Sequence, residues 1–379
     1  MPRALFAFPI VLAILTIAPA ATANTDSDHV EIHGYGGWAY GRSNADDNRY
    51  LASSKAGEAD YVNMAVAFTS RSSDRVWINA QVWWEQSQGE EWTSVVDFAF
   101  GEWRVSDALR FRVGQVKHPF GIYTEVFDVG TLRPFFWLPQ SVYGPSGVVA
   151  EAYRGAGLTG SVFTAGDWRL EYDFYGGELN LEAPPFASLL ASAMETAGDE
   201  DSAELEEEVE VRDLVGSRVT VTVPGSEVRM GISAYTGREE GGNGERHSSL
   251  GAHAEYLTDD WSCRSEYTFL RESQTVDATN AYIELARRLG NSWQIAGRAD
   301  YSKTTLDGID AGEASPLLDH LDLATGLNYW FHTDFVLKLS TSWVDGNRFA
   351  RPEDLRAAIE DEGLNRKTRL VSLGVQFAF

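Results

Sequence analysis

Short segments in which apolar and polar residues alternate recur along the chain from Val30 to the carboxyl terminus. Each segment is about ten residues long, which is the length that a tilted membrane strand needs. The apolar positions of two of them are Val62, Met64, Val66 and Phe68, and then Val76, Ile78, Ala80, Val82 and Trp84. Because a period of two places successive side chains on opposite faces, we predict strands with one apolar and one polar face.

The same alternation predicts which side chains face lipid near the other end of the chain. In the segment 335–343, the apolar residues Phe335, Leu337, Leu339 and Trp343 alternate with Lys338, Ser340 and Ser342. We expect Leu339 to face lipid and Ser340 to face water. A soluble β-sandwich also alternates, but aromatic residues near the strand ends favour the interfacial girdles of a membrane barrel.

The connections between these segments alternate in length. Short polar turns are Ser72-Ser73-Asp74, Ala165-Gly166-Asp167, Pro224-Gly225-Ser226, Asp259-Asp260 and His332-Thr333-Asp334, and longer loops lie between them. Bacterial outer-membrane barrels have short periplasmic turns and longer extracellular loops. We therefore predict an all-β fold for residues 24–379, a transmembrane antiparallel β-barrel of about 16 strands, which is wide enough to enclose an aqueous channel.

The amino terminus has the pattern of a secretory signal peptide. Arg3 precedes an apolar run from Ala4 to Ile17, and small residues follow up to Ala23. We predict a signal peptide over residues 1–23, cleaved after Ala23, and a mature protein in the cell outer membrane. An uncleaved anchor is the alternative, although the run is shorter than the roughly 20 residues of a spanning helix.

Composition and charge narrow the class of protein. The chain has 35 Gly, 12 Trp, 15 Tyr and 19 Phe at a mean hydropathy of -0.26, which is typical of a barrel with lipid on one face and water on the other. The net charge of -25 argues against nucleic acid as a partner, because phosphate binding requires a basic surface. The lone Cys263 cannot form a disulfide within the chain.

Two loops have features of their own. The acidic segment 180–210 contains the run Glu206 to Glu208. This run either bridges divalent cations or lipopolysaccharide, or is part of a solvated extracellular loop. Residues 352–363 begin at Pro352 and carry an apolar stripe, which predicts a short extracellular helix.

The last nine residues, 371–379, alternate up to the final aromatic side chain. This segment resembles the carboxy-terminal signal by which the outer-membrane assembly machinery recognises barrel proteins. The resemblance implies that Phe377 and Phe379 carry the assembly signal, and that the barrel assembly machinery is a partner of this chain.

The segment 109–143 contains a more specific pattern. It carries Gly114, Lys117, Pro119, Gly121, Tyr123, Asp128, Arg133, Pro134, Leu138, Pro139, Gln140, Ser141 and Tyr143. In these residues the chain resembles proteobacterial porins of the phosphate-selective-porin-like group, which show G-x-x-K-x-P-x-G-L-Y, then R-P and L-P-Q-S-x-Y. The resemblance implies that a loop over about 117–150 folds into the barrel and narrows it.

The chain departs from that group directly after Tyr123. The segment Thr124 to Asp128 replaces the Asn-Glu-Thr-Arg-Asp that such sequences often carry, so this chain lacks the arginine that could make an ion pair inside the loop. Three adjacent aromatic residues follow, Phe135, Phe136 and Trp137. A long loop with such a cluster needs a surface to pack against, which agrees with an inward-folded loop.

If the apolar faces point outward, charged side chains of both signs line the lumen. We predict that the lumen and its constriction contain Arg110, Arg112, Lys117, Glu125, Asp128, Arg133, Arg218, Arg264 and Arg298. Charged rings on a pore wall set ion preference, and we expect Arg110 and Arg112 to face Glu125 and Asp128 across the opening. Alternatively, each charge only solvates the lumen or links neighbouring strands.

These patterns favour a water-filled channel for passive diffusion of ions and small polar solutes. A phosphate-specific channel needs lysines or arginines in a ladder at one level, which the sequence lacks. Acidic outer loops favour a weak cation preference. We expect outer-membrane lipid and lipopolysaccharide as partners, a homotrimer as one possible assembly, and neither a cofactor nor a metal.

Two alternatives to a channel stay open. There is no G-x-S-x-G, H-E-x-x-H or Walker motif, so we expect no enzyme. A lipid hydrolase would need a Ser-His pair that faces outward at the rim, and His247 with Ser249 is the nearest candidate. The other alternative is a non-conducting structural or adhesion barrel with a plugged lumen.

Overall fold

The computed structural model describes residues 30–379 apart from 46–49, 52, 87–90, 165, 183–207, 241–244, 273–275, 307–315 and 352–364. The predicted signal peptide, the side chains of the acidic run 206–208 and the predicted helix over 352–363 lie outside the described residues. The strands that flank the acidic segment extend to Glu182 and start again at Glu208, so its connection is shorter than the predicted 180–210.

Among the described residues, sixteen strands form one closed antiparallel barrel. The first eight are β1 (Val30–Ser43), β2 (Glu58–Arg71), β3 (Val76–Gln86), β4 (Thr93–Ser106), β5 (Leu109–Lys117), β6 (Ala152–Phe163), β7 (Arg169–Glu182) and β8 (Glu208–Thr222). The others are β9 (Val228–Glu239), β10 (Arg246–Leu257), β11 (Trp261–Glu272), β12 (Val276–Leu289), β13 (Trp293–Leu306), β14 (Asp319–His332), β15 (Phe335–Asp345) and β16 (Lys367–Ala378). The predicted fold class and strand number are confirmed.

Each strand pairs with its neighbours in sequence, and β16 pairs with β1 to close the barrel. At the closure, Phe379 donates its backbone N–H to Gly34 and accepts one in return, at 2.8 and 2.9 Å. Phe377 lies opposite Gly36 in the β1–β16 ladder. The phenyl ring of Phe379 covers Gly34, where a Cβ would lie 2.1 Å from a ring carbon. A closed sheet leaves no strand edge unpaired, which membrane-spanning strands require.

One end of the barrel carries short connections. Their lengths range from two residues, at 107–108, to five residues, at 164–168 and 223–227. We call this the turn end and the opposite end the loop end. The loop end carries the longest connection of the described residues, loop 118–151, which contains the short helix α1 (Gln140–Tyr143). Among the described residues, no helix is long and apolar enough to cross a membrane.

The two faces of the strands differ as the alternation predicts. Outward side chains are apolar and exposed, such as Val113 at 63% and Leu339 at 41%, whereas Lys338 between outward neighbours is 2% exposed. The prediction that Ser340 faces water is wrong. Ser340 points inward but is 9% exposed and shares a 2.7 Å hydrogen bond with Ser372, because the inner wall is packed here.

Candidate pore interior

Loop 118–151 is bound to the inner wall formed by β13, β14 and β15. The Lys338 ammonium group donates hydrogen bonds to the carbonyl oxygens of Gly130 and Arg133, at 2.7 and 2.6 Å. Asn328 donates to the carbonyl of Pro134 at 2.7 Å, and Arg298 donates to that of Trp137 at 2.8 Å. Inward-facing side chains of the wall thus satisfy backbone oxygens that a buried loop would leave unpaired.

The same loop is bound to the opposite wall. Asp128 accepts hydrogen bonds from Lys117 at 2.8 Å and from Gln81 on β3 at 3.0 Å. Lys117 also forms an ion pair with Asp97 on β4, with a nitrogen–oxygen distance of 2.7 Å. Burial opposes the ionisation of Asp128, but the charge of Lys117 and the hydrogen bonds to the carboxyl together outweigh burial and lower the pKa of this carboxyl. The ammonium group of Lys117 therefore links Asp128 of the loop to Asp97 of the barrel wall.

Between these walls, the loop packs through buried tyrosines. Tyr143 donates a hydrogen bond to Glu266 on β11, and Tyr123 donates one to Glu284 on β12 at 2.5 Å. Burial raises the pKa of both tyrosines well above the usual value, so their hydroxyl groups remain donors. The apolar cluster around them includes Phe120, Leu138, Val142, Val148, Tyr175, Leu214 and Tyr235. Aromatic side chains of this size dominate the packing of the loop.

A cavity of ≈ 480 Å³ lies at the turn end on one side of the loop. Its charged lining residues among the described part of the chain are Arg110, Arg112, Arg169, Arg218, Arg229 and Arg264, with Glu125, Glu171, Asp173 and Glu255. Six arginines against four carboxylates leave a positive balance. We call it the turn-end cavity.

Most charges in the turn-end cavity are paired. Arg218 contacts Glu125 and Asp173, each at 2.9 Å, and Arg264 contacts Glu255 at 3.3 Å. Arg218 lowers the pKa of Glu125, so this carboxylate stays ionised well into acid. Arg110 differs, because its Nε atom is buried without a hydrogen-bond partner.

A smaller cavity of ≈ 240 Å³ lies on the other side of the loop, at the loop end. Its charged lining residues among the described part of the chain are Glu85, Asp128, Glu151 and Glu182, with Arg133 and Arg351. Four carboxylates against two arginines leave a negative balance in this loop-end cavity. Burial, followed by the nearby Asp128, raises the pKa of Glu151.

Arg133 lies between the two ends of the barrel. It lines the loop-end cavity and also a third cavity of ≈ 200 Å³, which contains turn residues such as Asp259. Its Nη1 atom donates to the carbonyl of Phe127 at 2.9 Å, and its Nε atom is buried without a hydrogen-bond partner. Burial lowers the pKa of this guanidinium, although the group remains a cation at neutral pH.

The residues singled out from sequence divide between these places. Arg110, Arg112, Glu125, Arg218 and Arg264 line the turn-end cavity, and Asp128 and Arg133 line the loop-end cavity. Lys117 and Arg298 are bonded to the loop. Asp128 therefore does not face Arg110 and Arg112, because the turns at Thr124–Val126 and Gly130–Leu132 direct it toward Lys117 instead.

Sequence reasoning missed the partners that complete these networks. Asp97 pairs with Lys117, and Glu102 pairs with Arg112 at 2.7 Å. Both acids interrupt the apolar residues of β4, Asp97 between Val96 and Phe98 and Glu102 between Gly101 and Trp103. A carboxylate inside an apolar strand was the signal that could have found them, since a buried charge needs a partner.

The candidate pair for lipid hydrolysis does not lie on the outer surface. His247 and Ser249 are 0% and 4% exposed and lie on the inward face of β10, beside loop 118–151. Outward positions of this strand are apolar, as at Leu250, which is 57% exposed. The predicted pair therefore faces away from the lipid that it would have to hydrolyse.

No protein-family model matches the chain, and no curated protein matches it in sequence. Solved structures are similar in fold. Salmonella typhi OmpF in complex with daunomycin is 12% identical at a TM-score of 0.59, over 94% of this chain and 99% of that chain. The anion-selective porin from Comamonas acidovorans is 9% identical at a TM-score of 0.54, over 93% and 100% of the two chains.

The trimer form of OmpT, an outer membrane protein of Vibrio cholerae, is 10% identical at a TM-score of 0.54, over 93% of this chain and 100% of that chain. At identities this low, the similarities show the fold alone. The chain has the closed β-barrel fold of these outer-membrane proteins.

Proposed function

We propose that this protein is an outer-membrane porin, a channel for passive diffusion of ions and small polar solutes. The observation that carries the proposal is a closed barrel with apolar outward side chains, whose interior holds two charged cavities on either side of loop 118–151. The signal-like amino terminus and the aromatic last strand support an outer-membrane location. The fold neighbours include an anion-selective porin and an outer membrane protein of Vibrio cholerae.

Loop 118–151 acts as the constriction in this proposal. It is bonded to β3 through Gln81, to β8 through Arg218 and to β15 through Lys338, so it crosses the barrel from wall to wall. Arg133 lines both the loop-end cavity and the third cavity, so in this proposal a solute that moves between these two passes its guanidinium. A narrow path favours small solutes. The fixed charges beside the path orient polar solutes through their dipoles.

The charge of the two cavities decides ion preference in this proposal. The acidic loop-end cavity concentrates cations where they enter, and the excess of arginine at the turn end opposes it. A net charge of -25 adds to the attraction for cations, so we propose a weak overall cation preference. The four carboxylates beside the turn-end arginines argue against a site for phosphate.

We also propose a homotrimer, on the strength of the trimer form of Vibrio cholerae OmpT, which has the same fold. Lipid and lipopolysaccharide then cover the outward side chains that no neighbouring subunit contacts. Crosslinking in native membranes, followed by electrophoresis without heating, measures the assembly.

Single-channel recording in a planar bilayer tests the proposed function. We expect stepwise conductance, and a current that depends on the sign of the voltage because the two ends of the path carry opposite charge. A salt gradient across the bilayer reads the ion preference from the reversal potential. A correctly folded barrel that inserts but gives no steps would contradict the channel and favour a non-conducting structural barrel.

A further inference from the structure

Three side chains with metal-binding atoms meet at the loop end of neighbouring strands. Glu239 ends β9, His247 is the second residue of β10 and Glu272 ends β11. Each offers one ligand atom, and these three atoms lie within 4.8 Å of one another. The His247 Nδ1 atom and a Glu239 oxygen are 3.6 Å apart. Four ligands at about 2.0–2.2 Å from a zinc ion lie about 3.4 Å from each other, so this pair already has the required spacing.

The hydrogen bonds of His247 direct its free nitrogen at the two carboxylates. Its Nε2 atom lies 3.0 Å from the carbonyl oxygen of Gly147, which can only accept, so Nε2 carries the hydrogen. In the neutral ring, Nδ1 then has a lone pair. His247 is 0% exposed, yet Nδ1 has no hydrogen-bond partner, and neither does the Oε1 atom of Glu239. Metal-binding histidines commonly donate their other ring nitrogen to a backbone carbonyl in this way.

The charge balance also favours a cation. Two carboxylates lie together, and the guanidinium of Arg348 is a nearby cation that acts on Glu272. Arg348 also donates to the carbonyl of Ser146, at 3.3 Å. Two adjacent carboxylates repel each other when both are ionised, and a divalent cation between them removes this repulsion.

We propose that Glu239, His247 and Glu272 bind a divalent transition-metal ion of the zinc type. Its ligands are His247 Nδ1 and one oxygen of each carboxylate, which leaves a position for water in a four-coordinate site. The imidazole nitrogen selects such an ion over Ca²⁺ and Mg²⁺, which prefer oxygen ligands. Glu239 also lines an open surface cavity of ≈ 610 Å³, which provides a route for the ion.

The site lies where the returning arm of loop 118–151 meets the barrel wall. Gly147, whose carbonyl contacts His247, has a φ of 71°, a left-handed conformation that suits glycine. The next carbonyl, of Val148, accepts a 2.8 Å hydrogen bond from Tyr235 on β9. A bound ion would fix His247 and so hold this arm of the loop against β9, β10 and β11. This differs from the expectation from sequence that the chain holds no metal.

Equilibrium dialysis of the chelator-treated, detergent-solubilised full chain against ZnCl₂ tests the site, with bound zinc measured by atomic emission. We expect one tightly bound zinc per chain, retained in excess CaCl₂. The variants His247→Gln and Glu272→Gln should raise the Kd at least about tenfold, because each removes a ligand. The variant His253→Gln is the matched control, since His253 is buried on the same face of β10 and has arginines nearby instead of paired carboxylates.

Retention of folded barrel on unheated gels shows which variants can be compared, and Glu272→Gln serves if His247→Gln does not fold. Loss of the zinc in either ligand variant, with zinc kept in His253→Gln, supports the site. Wild-type protein that binds no zinc would overturn the proposal, as would zinc displaced by calcium. Wild-type affinity in a folded ligand variant would overturn it as well. None of these results depends on whether the barrel conducts ions.

Discussion

The turn-end and loop-end cavities lie in the same barrel, yet their charges are organised differently. In the turn-end cavity, arginines outnumber carboxylates, and ion pairs such as Arg218 with Glu125 link loop and wall. In the loop-end cavity, carboxylates outnumber arginines, and the ion pair of Asp128 lies beneath the surface with Lys117. Strands β5 to β11 line the turn-end cavity, whereas β2, β3 and β7 line the loop-end cavity, and loop 118–151 contributes residues to both.

The comparison shows that exposure decides what a charge can do. The side chain of Glu125 is 51% exposed, whereas that of Asp128 is 3% exposed. An exposed charge acts on ions in the path, because water and ions reach it. A buried charge that is already neutralised acts mainly on stability, because its removal leaves a partner unpaired. Position in a pore therefore does not by itself identify a selectivity residue.

The largest effect should come from releasing the loop that separates the cavities. Lys338→Met removes the donor to Gly130, Arg133 and Phe135 and leaves buried carbonyl groups unpaired. We expect the free energy of unfolding to fall by about 1–3 kcal/mol, and single-channel conductance to rise because the loop no longer holds its position. Lys303→Met, the same change at an exposed position of β13, should alter neither. Wild-type conductance in a folded Lys338→Met barrel would mean that the loop does not limit the path.

A second test contrasts Glu125 with Asp128. Glu125→Gln removes one exposed negative charge and leaves Arg218 with Asp173, so the reversal potential should shift toward anions. Asp128→Asn should shift it less and instead lower the free energy of unfolding by about 1–3 kcal/mol, because Lys117 and Gln81 lose a charged acceptor. Reversal potentials and urea unfolding of the two variants measure both effects. A larger shift in reversal potential for Asp128→Asn than for Glu125→Gln would mean that Asp128, and not Glu125, lies beside the ions in the path.

Single charges at the two ends should have opposite effects on rectification. Arg110→Gln lowers the positive charge of the turn-end cavity and breaks no hydrogen bond of its Nε atom. Glu85→Gln lowers the negative charge of the loop-end cavity while its side chain can still accept from Tyr61. We expect Arg110→Gln to shift the reversal potential toward cation preference and Glu85→Gln to shift it toward anion preference, and each change should alter rectification in the opposite sense to the other. Both effects should decline in 1 M salt, where the Debye length is about 3 Å. If both variants shift the reversal potential in the same direction, the two cavities do not carry opposite charge.

Much of the fold follows from a local pattern. Leu339 and Lys338 are neighbours with opposite environments, and a period of two is sufficient to assign them to the outer and inner faces. The closing strand is equally predictable, because its alternation continues to Phe379. These features depend on short stretches of sequence, so no knowledge of distant contacts is needed.

The candidate site depends on distant contacts and could be predicted only in part. The charge of Asp128 is evident in the sequence, but its partners Gln81 and Lys117 come from the path of the loop. Glu239, His247 and Glu272 meet because of the register of β9, β10 and β11, which opposes His247 to Glu272 directly. Alternation predicts that such residues face inward, but it does not predict which of them lie side by side.

The smallest expected effect concerns pH, and it should also separate the two cavities. Burial raises the pKa of Glu151, so this carboxyl gains a proton at a pH above the usual range of glutamic acids. The pKa values of Asp128 and Glu125 are lowered, so these two stay ionised there. As the pH falls toward acid, the loop-end cavity thus loses the negative charge of Glu151, while Glu125 keeps its charge at the turn end. Cation preference should therefore weaken on mild acidification.

The variant Glu151→Gln checks the origin of that change, since it carries no charge at this position at any pH. We expect its reversal potential at neutral pH to match that of the wild type in mild acid, and its dependence on pH over this interval to be reduced. Recordings at several pH values under one salt gradient make the comparison. If wild type and Glu151→Gln titrate identically, another group controls the response to pH. If instead preference for cations strengthens on acidification, the turn-end cavity changes first and the assignment of the two cavities is wrong.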